Sequence, residues 1–293
     1  MPSAFFFSQW GKQFRYQFRQ NPLFLLGVIV LWLIVTALIF GPWLYPVPID
    51  QIDFSQALAP PSRQYPLGTD DLGQDQLARL LYGGRISLAV GVSAMAVSLV
   101  LGTLIGAVSG YFGGWLDTGL MRLTDLFLSL PQLPLVLLVV YLFREPVTRA
   151  TSPEAGIFIL VVLLIGLLNW MNVARLVRGD FLKLREMEFV NAAIAMGASP
   201  WRIITQHLLP NVFELMIVAA TLAVGNAIIT ESTLSFLGLG FPPDIPTWGQ
   251  MLYVAKDYLE TAPQLAFFPG LAIFLTVLSV NYTGEGLTNF FNR

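Results

Sequence analysis

An all-α membrane protein with about six spanning helices is the fold class this sequence predicts, and three observations predict it. Hydrophobic residues make up 55% of the 293 positions and charged residues only 12%, about half the roughly 25% of an ordinary soluble domain. Mean hydropathy is +0.67. Six apolar runs are each long enough to cross a bilayer as a helix, which takes about 20 residues. None shows the period-2 alternation of a membrane strand.

The first run, Leu23–Leu44, follows Lys12, Arg15 and Arg19, a charge arrangement shared with signal peptides. It exceeds their apolar core of about 7–15 residues, and no A-x-A-like site follows it. A retained first helix is predicted, closed by Gly41-Pro42-Trp43. Trp43 to Gln64 is proline-rich and holds no run long enough to span. Tyr65 to Leu88 reads as an amphipathic surface helix starting at Asp70 and Asp71. Leu77, Leu80 and Leu81 share one face, and Arg79 and Arg85 are placed to reach headgroups. A solvated connecting loop is the plainer reading of the same residues.

The second run, Ile86–Tyr111, carries Ser98, Gly102, Gly106 and Gly110 at four-residue spacing. Such a line of small residues lets a neighbouring backbone approach closely, either within the chain or at a subunit interface. The third run, Gly119–Phe143, contains Pro131 and Pro134, which predict a kink. The fourth, fifth and sixth are Gly156–Val177, Val212–Leu237 and Leu265–Phe290. With the N-terminus in the cytoplasm, an even number of spans returns the C-terminus there. Ten cations then lie inside (Lys12, Arg15, Arg19, Arg122, Arg175, Arg178, Lys183, Arg185, Arg202 and Arg293) against six outside. The positive-inside rule favours that orientation.

Ionisable groups within the runs are few. Asp125 stands one turn from Arg122, the spacing of an i,i+3 pair. Glu231 lies 20 residues past Asn211, about 30 Å of helix, which puts it at the far interface. No mid-bilayer charge is evident, which argues against an ion-coupled carrier. Asn169, Asn172, Asn226, Thr230, Glu231 and Ser232 are candidates to line a polar path, although such residues also bond between helices. Nothing in the chain forms a P-loop, a zincin helix or a nucleophile elbow. There is no cysteine and one histidine, His207, so no metal site and no cofactor are expected. A net charge of −2 implies no nucleic-acid partner; membrane lipid is the expected surroundings. An enzyme without a candidate constellation is a poor reading, which leaves a conduit, a receptor or a scaffold.

One stretch fits no span: FVNAAIAMGASPWRIITQHLLP, Phe189 to Pro210. Glu186 and Glu188 suit a helix N-terminus. Phe189, Ala192, Ala193 and Met196 fall on one face. Gly197 permits the left-handed residue that ends a helix. Ser199 and Pro200 suit the cap and first position of a second short helix, Trp201 to Leu208, with Leu209-Pro210 opening the fifth span. Two short helices at an angle make either a rigid docking knob or a plain elbow between spans.

That stretch resembles the coupling loop of ABC importer permeases, through Asn191-Ala192-Ala193, Gly197 and Leu209-Pro210; Asn191 stands where the family usually has Glu. Blocks Pro66–Leu88, Gly110–Pro131, Ala174–Ser199, Glu231–Leu252 and Phe268–Leu278 are similar to the second permease of the paired dipeptide, oligopeptide and nickel systems. The resemblance implies a type I importer fold, with an N-terminal segment at 1–64 and a permease core at 65–293. It implies a non-catalytic subunit that contacts ATPases through a coupling helix, with Glu188, Asn191, Ala192, Ala193, Gly197, Ala198, Leu209 and Pro210 as the coupling residues. A second homologous permease, two cytoplasmic ATPases and an extracytoplasmic solute-binding protein are the implied partners. A stand-alone carrier or channel is the alternative function.

Overall fold

The computed structural model describes residues 21–291; Lys12, Arg15, Arg19 and Arg293, used above for orientation, lie outside them. Among the described residues the regular structure is helical. Five helices are long and apolar enough to cross a membrane, or six when one bent pair is taken as a single span. Five of the six predicted runs fall on these helices, the fifth passing its helix end by one residue, Leu237, and the third run falls across the bent pair.

Helix α1, Pro22–Leu44, starts where the Asn21 side chain accepts from Phe24 N–H at 3.3 Å, with Pro22 at the first position. Pro42 lies inside its last turn and has no N–H for the carbonyl four residues back, Leu38. Arg85 supplies the missing donor. Its Nε reaches Leu38 O and its second guanidinium nitrogen reaches Ile39 O, both at 2.6 Å. Arg85 therefore clamps two helices and does not reach for headgroups. Arg85→Leu should lower stability by about 1–3 kcal/mol, since it strands a buried acceptor; thermal unfolding of the detergent-purified protein measures this.

The segment from Tyr45 to Asp75 folds on itself. Asp53 N–H bonds Leu72 O at 3.0 Å, and Leu58 N–H bonds Asp70 O at 2.9 Å. It leads into α2, Gln76–Phe112, whose N-cap is Asp75, accepting from Ala78 N–H at 2.8 Å. The expected surface helix and second span are thus one 37-residue rod, about 55 Å long, and it begins at Asp75 rather than at Asp70 or Asp71. Gly83 and Gly84 do not break it. They let Pro246 and Trp248 pack directly on the helix backbone, where a Cβ would come within 3.1 Å and 2.6 Å of them.

Gly113 and Gly114, both at positive φ, turn the chain into α3, Gly114–Ser129. Helix α4, Gln132–Ala150, follows at 86°. The predicted kink is therefore a break. Leu130 is extended ahead of Pro131, as a residue before proline prefers, and Pro131 caps α4. Helix α5, Pro153–Arg185, is capped by Ser152 and runs 33 residues. It makes the most extensive helix pair of the fold with α2. The small-residue line is that seam. A Cβ on Gly102 would lie 2.5 Å from the Val173 Cβ, one on Gly106 2.5 Å from Ala174 O, and one on Gly110 2.5 Å from the Phe181 Cβ. Close packing within the chain explains these glycines.

Helix α6 is Glu188–Ala195, and α7 runs Pro200–Phe236. After the Gly238 turn comes α8, Trp248–Ala255, and then α9, Gln264–Phe291, which packs on α1 and α7. Asp125 bonds Arg175 of α5 and not its own-helix neighbour Arg122, because α3 packs against α5.

Candidate functional site

Helix α6 projects from one end of the bundle between α5 and α7. Glu188 stands in its first turn. Gly197, at φ +80°, closes it: its N–H bonds Ile194 O at 2.9 Å, and Ala198 N–H bonds Ala193 O at 3.0 Å. This paired motif needs a residue in the left-handed region, which favours glycine. The helix has an anchored side and an open side. Val190 and Ala193 are buried against Val173, Val177, Phe181, Ile203, Ile204 and Leu208. Glu188, Phe189, Asn191, Ala192 and Ile194 are exposed, and Met196 is 81% exposed.

The predicted apolar face is therefore split. Phe189, Ala192 and Met196 look outward, while Ala193, 1% exposed, holds the helix to the bundle. Val190, which the pattern reading passed over, is its partner one turn earlier. The signal was present: Val190 and Ala193 share an i,i+3 face. Ala198 and Leu209 are half-buried at the base and Pro210 is exposed.

The second short helix is not separate. Pro200–Arg202 continues through a wide turn, Ile203–Leu208, into the long apolar segment Leu209–Phe236. Within that turn Leu209 N–H bonds Ile204 O, five residues back. Pro210 has no N–H to give Gln206, and the turn widens just before it. Ser199 occupies the cap position as predicted, but its side chain makes no capping bond; Ser199 O instead accepts from Ile203 N–H at 3.0 Å.

Polar bonds brace this end. Arg178 of α5 grips Asp117 of α3 with two nitrogens, at 2.5 and 2.7 Å. Ser109 of α2 also donates to Asp117, and Arg185 donates to Tyr111 O at 3.1 Å. The Phe112 and Trp201 rings meet edge to face at 6.4 Å. The ends of α2, α3, α5 and α7 thus form one rigid seat beneath α6.

Farther along α5 and α7 lies a cavity of about 300 Å³. Asn169, Asn172 and Asn226 line it beside Val173, Leu176 and Leu222. Asn226 is exposed and Thr230, one turn on, is half-buried and donates to Asn226 O at 2.8 Å. Glu231 and Ser232 do not share this surface. Glu231 is fully buried among α2, α7 and the loop before α8. Its carboxylate accepts from Ser235 at 2.8 Å and Ser87 at 3.3 Å, and Ser87 in turn accepts from Trp248 N–H at 3.2 Å. The sequence grouped Glu231 with Asn226 because both lie on one helix. The structure turns them to different sides.

At the α8 end, Arg79 is 4% exposed and, like Arg85, does not reach outward. It lies 3.5 Å from the Asp70 carboxylate and donates to Gln74 Oε1 at 2.5 Å, Ile49 O at 3.2 Å and Pro243 O at 3.0 Å. A second cavity, about 650 Å³, opens here between Tyr82, Ile86, Phe158 and Phe241, with Glu154 and Asp244 on its lining. Among the described residues no group of His, Cys, Asp and Glu side chains is arranged to hold a metal.

Comparison with known proteins covers both parts of the chain. Residues 102–293 match the model of the binding-protein-dependent transport system inner membrane component. Residues 8–61 match the N-terminal transmembrane domain of oligopeptide transport permease C. The chain is 36% identical to the dipeptide transport system permease protein of Alkalihalophilus pseudofirmus, over 96% of this chain and 88% of that one. It is 36% identical to a glutathione transport system permease protein of Pectobacterium atrosepticum, over 95% and 89%. It is 37% identical to an oligopeptide transport system permease protein of Haemophilus influenzae, over 92% and 84%. With matches across nearly its whole length, the chain belongs to the family of binding-protein-dependent transport system inner membrane components, as a C-type permease subunit of an ABC importer.

Proposed function

We propose that this permease forms half of a translocation pore for short peptides or a related solute, and that α6 is its coupling helix. The names of its relatives support the solute class. The observation that carries the coupling role is the two-sided character of α6: one side locked to α2, α5 and α7 by Val190 and Ala193, the other presenting Phe189, Ala192 and Met196 unpaired. A helix held so firmly transmits a push, and ATP-driven closure of partner ATPases would rock the bundle as a rigid body. ATP hydrolysis then belongs to two separate subunits. A second permease completes the pore and an extracytoplasmic binding protein delivers the solute. Both termini and α6 face the cytoplasm. The segment 1–64 is the appended part, and 65–293 is the permease core. The cavity carrying Asn226 lies on the solute's path, with Thr230 one turn beyond it.

Ala192→Arg tests the coupling role. Ala192 is exposed, so the change spares the fold while placing a bulky charge on the docking side. Uptake by the reconstituted transporter should fall more than about tenfold, the effect of roughly 1.4 kcal/mol at an interface, or the ATPase should fail to co-purify. Unchanged uptake together with unchanged assembly would overturn it. Ala193→Arg, by contrast, drives a charge into the buried seat and reports on folding only.

A further inference from the structure

On that reading of the path, we infer that Asn169, Asn172 and Asn226 form a transit subsite that recognises the solute's backbone amide groups rather than its charges.

The cavity between α5 and α7 holds three carboxamides and is otherwise lined by apolar side chains, with no ionised residue on its wall. Asn169 and Asn172 stand three apart on α5 and share a face; Asn226 faces them from α7. Each carboxamide offers two N–H donors and one carbonyl acceptor. A trans peptide unit points its N–H and its C=O to opposite sides of the chain, so carboxamides on two sides, one accepting and one donating, satisfy both. The three are not already consumed by the fold. Asn169 spends one N–H on Ile165 O, at 2.7 Å, which orients the side chain and leaves its carbonyl to accept. The side chains of Asn172 and Asn226 bond no other described residue. Thr230 is not a competitor, because its hydroxyl proton is committed to Asn226 O.

The absence of charge on the wall decides what such a site prefers. An ionised group that sheds water there meets no counter-charge, and that desolvation goes unrepaid. An amide sheds water and regains both bonds. The subsite therefore takes any stretch of peptide backbone whatever its side chains, while charged ends and charged side chains stay in the aqueous part of the path. About 300 Å³ is at the small end of ligand sites, the scale of one or two peptide units.

The whole transporter, with its partner permease, ATPases and binding protein, is reconstituted in liposomes. Uptake of trialanine is compared with that of its depsipeptide analogue, in which an ester oxygen replaces one backbone N–H, with binding protein saturated by each. The wild type is expected to move the amide roughly three- to tenfold faster, the worth of about one net hydrogen bond. Asn172→Leu with Asn226→Leu should slow trialanine and bring the amide-to-ester ratio towards one. The matching Gln pair, which keeps the carboxamides, should restore part of the ratio. Equal rates for amide and ester in the wild type, or an unchanged ratio in the Leu pair, would overturn the inference while leaving peptide import standing. Absence of trialanine uptake by an assembled wild type that imports an amide-free solute would overturn both.

Discussion

Replacing Gly106 by leucine is expected to keep the permease from reaching its folded form. The reason is the distance at the α2–α5 seam. A single Cβ at this position already lies 2.5 Å from Ala174 O and 2.9 Å from the Val177 Cβ. Ala174 O belongs to the α5 backbone and cannot rotate aside, so the helices must separate along their whole contact. Overpacking alone costs about 1–3 kcal/mol, and here it also disturbs the seat beneath α6, where Val173, Val177 and Phe181 meet Val190. Even Gly106→Ala should be destabilising. Gly119→Ala is the control, since a Cβ there meets nothing within 4 Å and alanine is the better helix former by about 0.5–1 kcal/mol. Yield of monodisperse protein and its thermal midpoint in detergent separate the three. A Gly106→Leu protein as stable as the wild type would show that the seam is looser than these contacts imply.

The second large effect is expected at Arg79. Arg79→Met leaves the buried Asp70 without its counter-charge, a change of about 3–5 kcal/mol, and it also unpins Ile49 and Pro243. Burial pushes the Asp70 carboxyl above the usual range, while the Arg79 guanidinium and the N–H groups of Gln74 and Leu72 pull it down. Removing Arg79 removes the strongest downward pull, so the folded-state pKa rises further above the unfolded value. A carboxyl raised in this way stabilises the fold below its unfolded pKa and loses that contribution as pH rises through the folded pKa. The damage in Arg79→Met should therefore shrink as the pH is lowered towards the carboxylate range. Adding Asp70→Asn should remove most of that pH dependence, because the titrating group is gone. Unfolding midpoints of the single and double variants across pH give the answer; a single variant with no more acid rescue than the double would refute the account.

Both predictions turn on residues that the sequence exposes unevenly. Spanning helices are legible because bilayer thickness sets a length and the hydrocarbon sets a composition, and both are local properties. Gly197 is legible for the same reason: the left-handed residue and its two bonds lie within one turn. What escaped was non-local. Arg79 and Arg85 looked like headgroup anchors because their acceptors, Pro243 O and Leu38 O, are 164 and 47 residues away. Glu231 looked interfacial because Ser87, its bond partner, lies 144 residues earlier. Pro131 announced an interruption, but a proline says where a helix yields and not by what angle. Helix α8 could have been found. Thr247 precedes Gln250 by three residues, a capping-box spacing, and the Thr247 hydroxyl does accept from Gln250 N–H at 3.1 Å. The inward and outward sides of α6 were only half legible, because alanine suits either side and only Val190 betrays which is which.

The wide turn at Ile203–Leu208 has a geometric consequence for the whole molecule. An α-helix advances about 100° per residue, and a turn bonded five residues back holds one residue more than its neighbours. Trp201 beside the knob and Asn226 in the cavity sit on the same continuous rod, so that surplus residue fixes the azimuth of one relative to the other. Tightening this turn to ordinary helix with every residue kept would swing the two out of phase by about a quarter of a revolution. The rod would still span the membrane, but a push received at one end would arrive at the other pointing the wrong way.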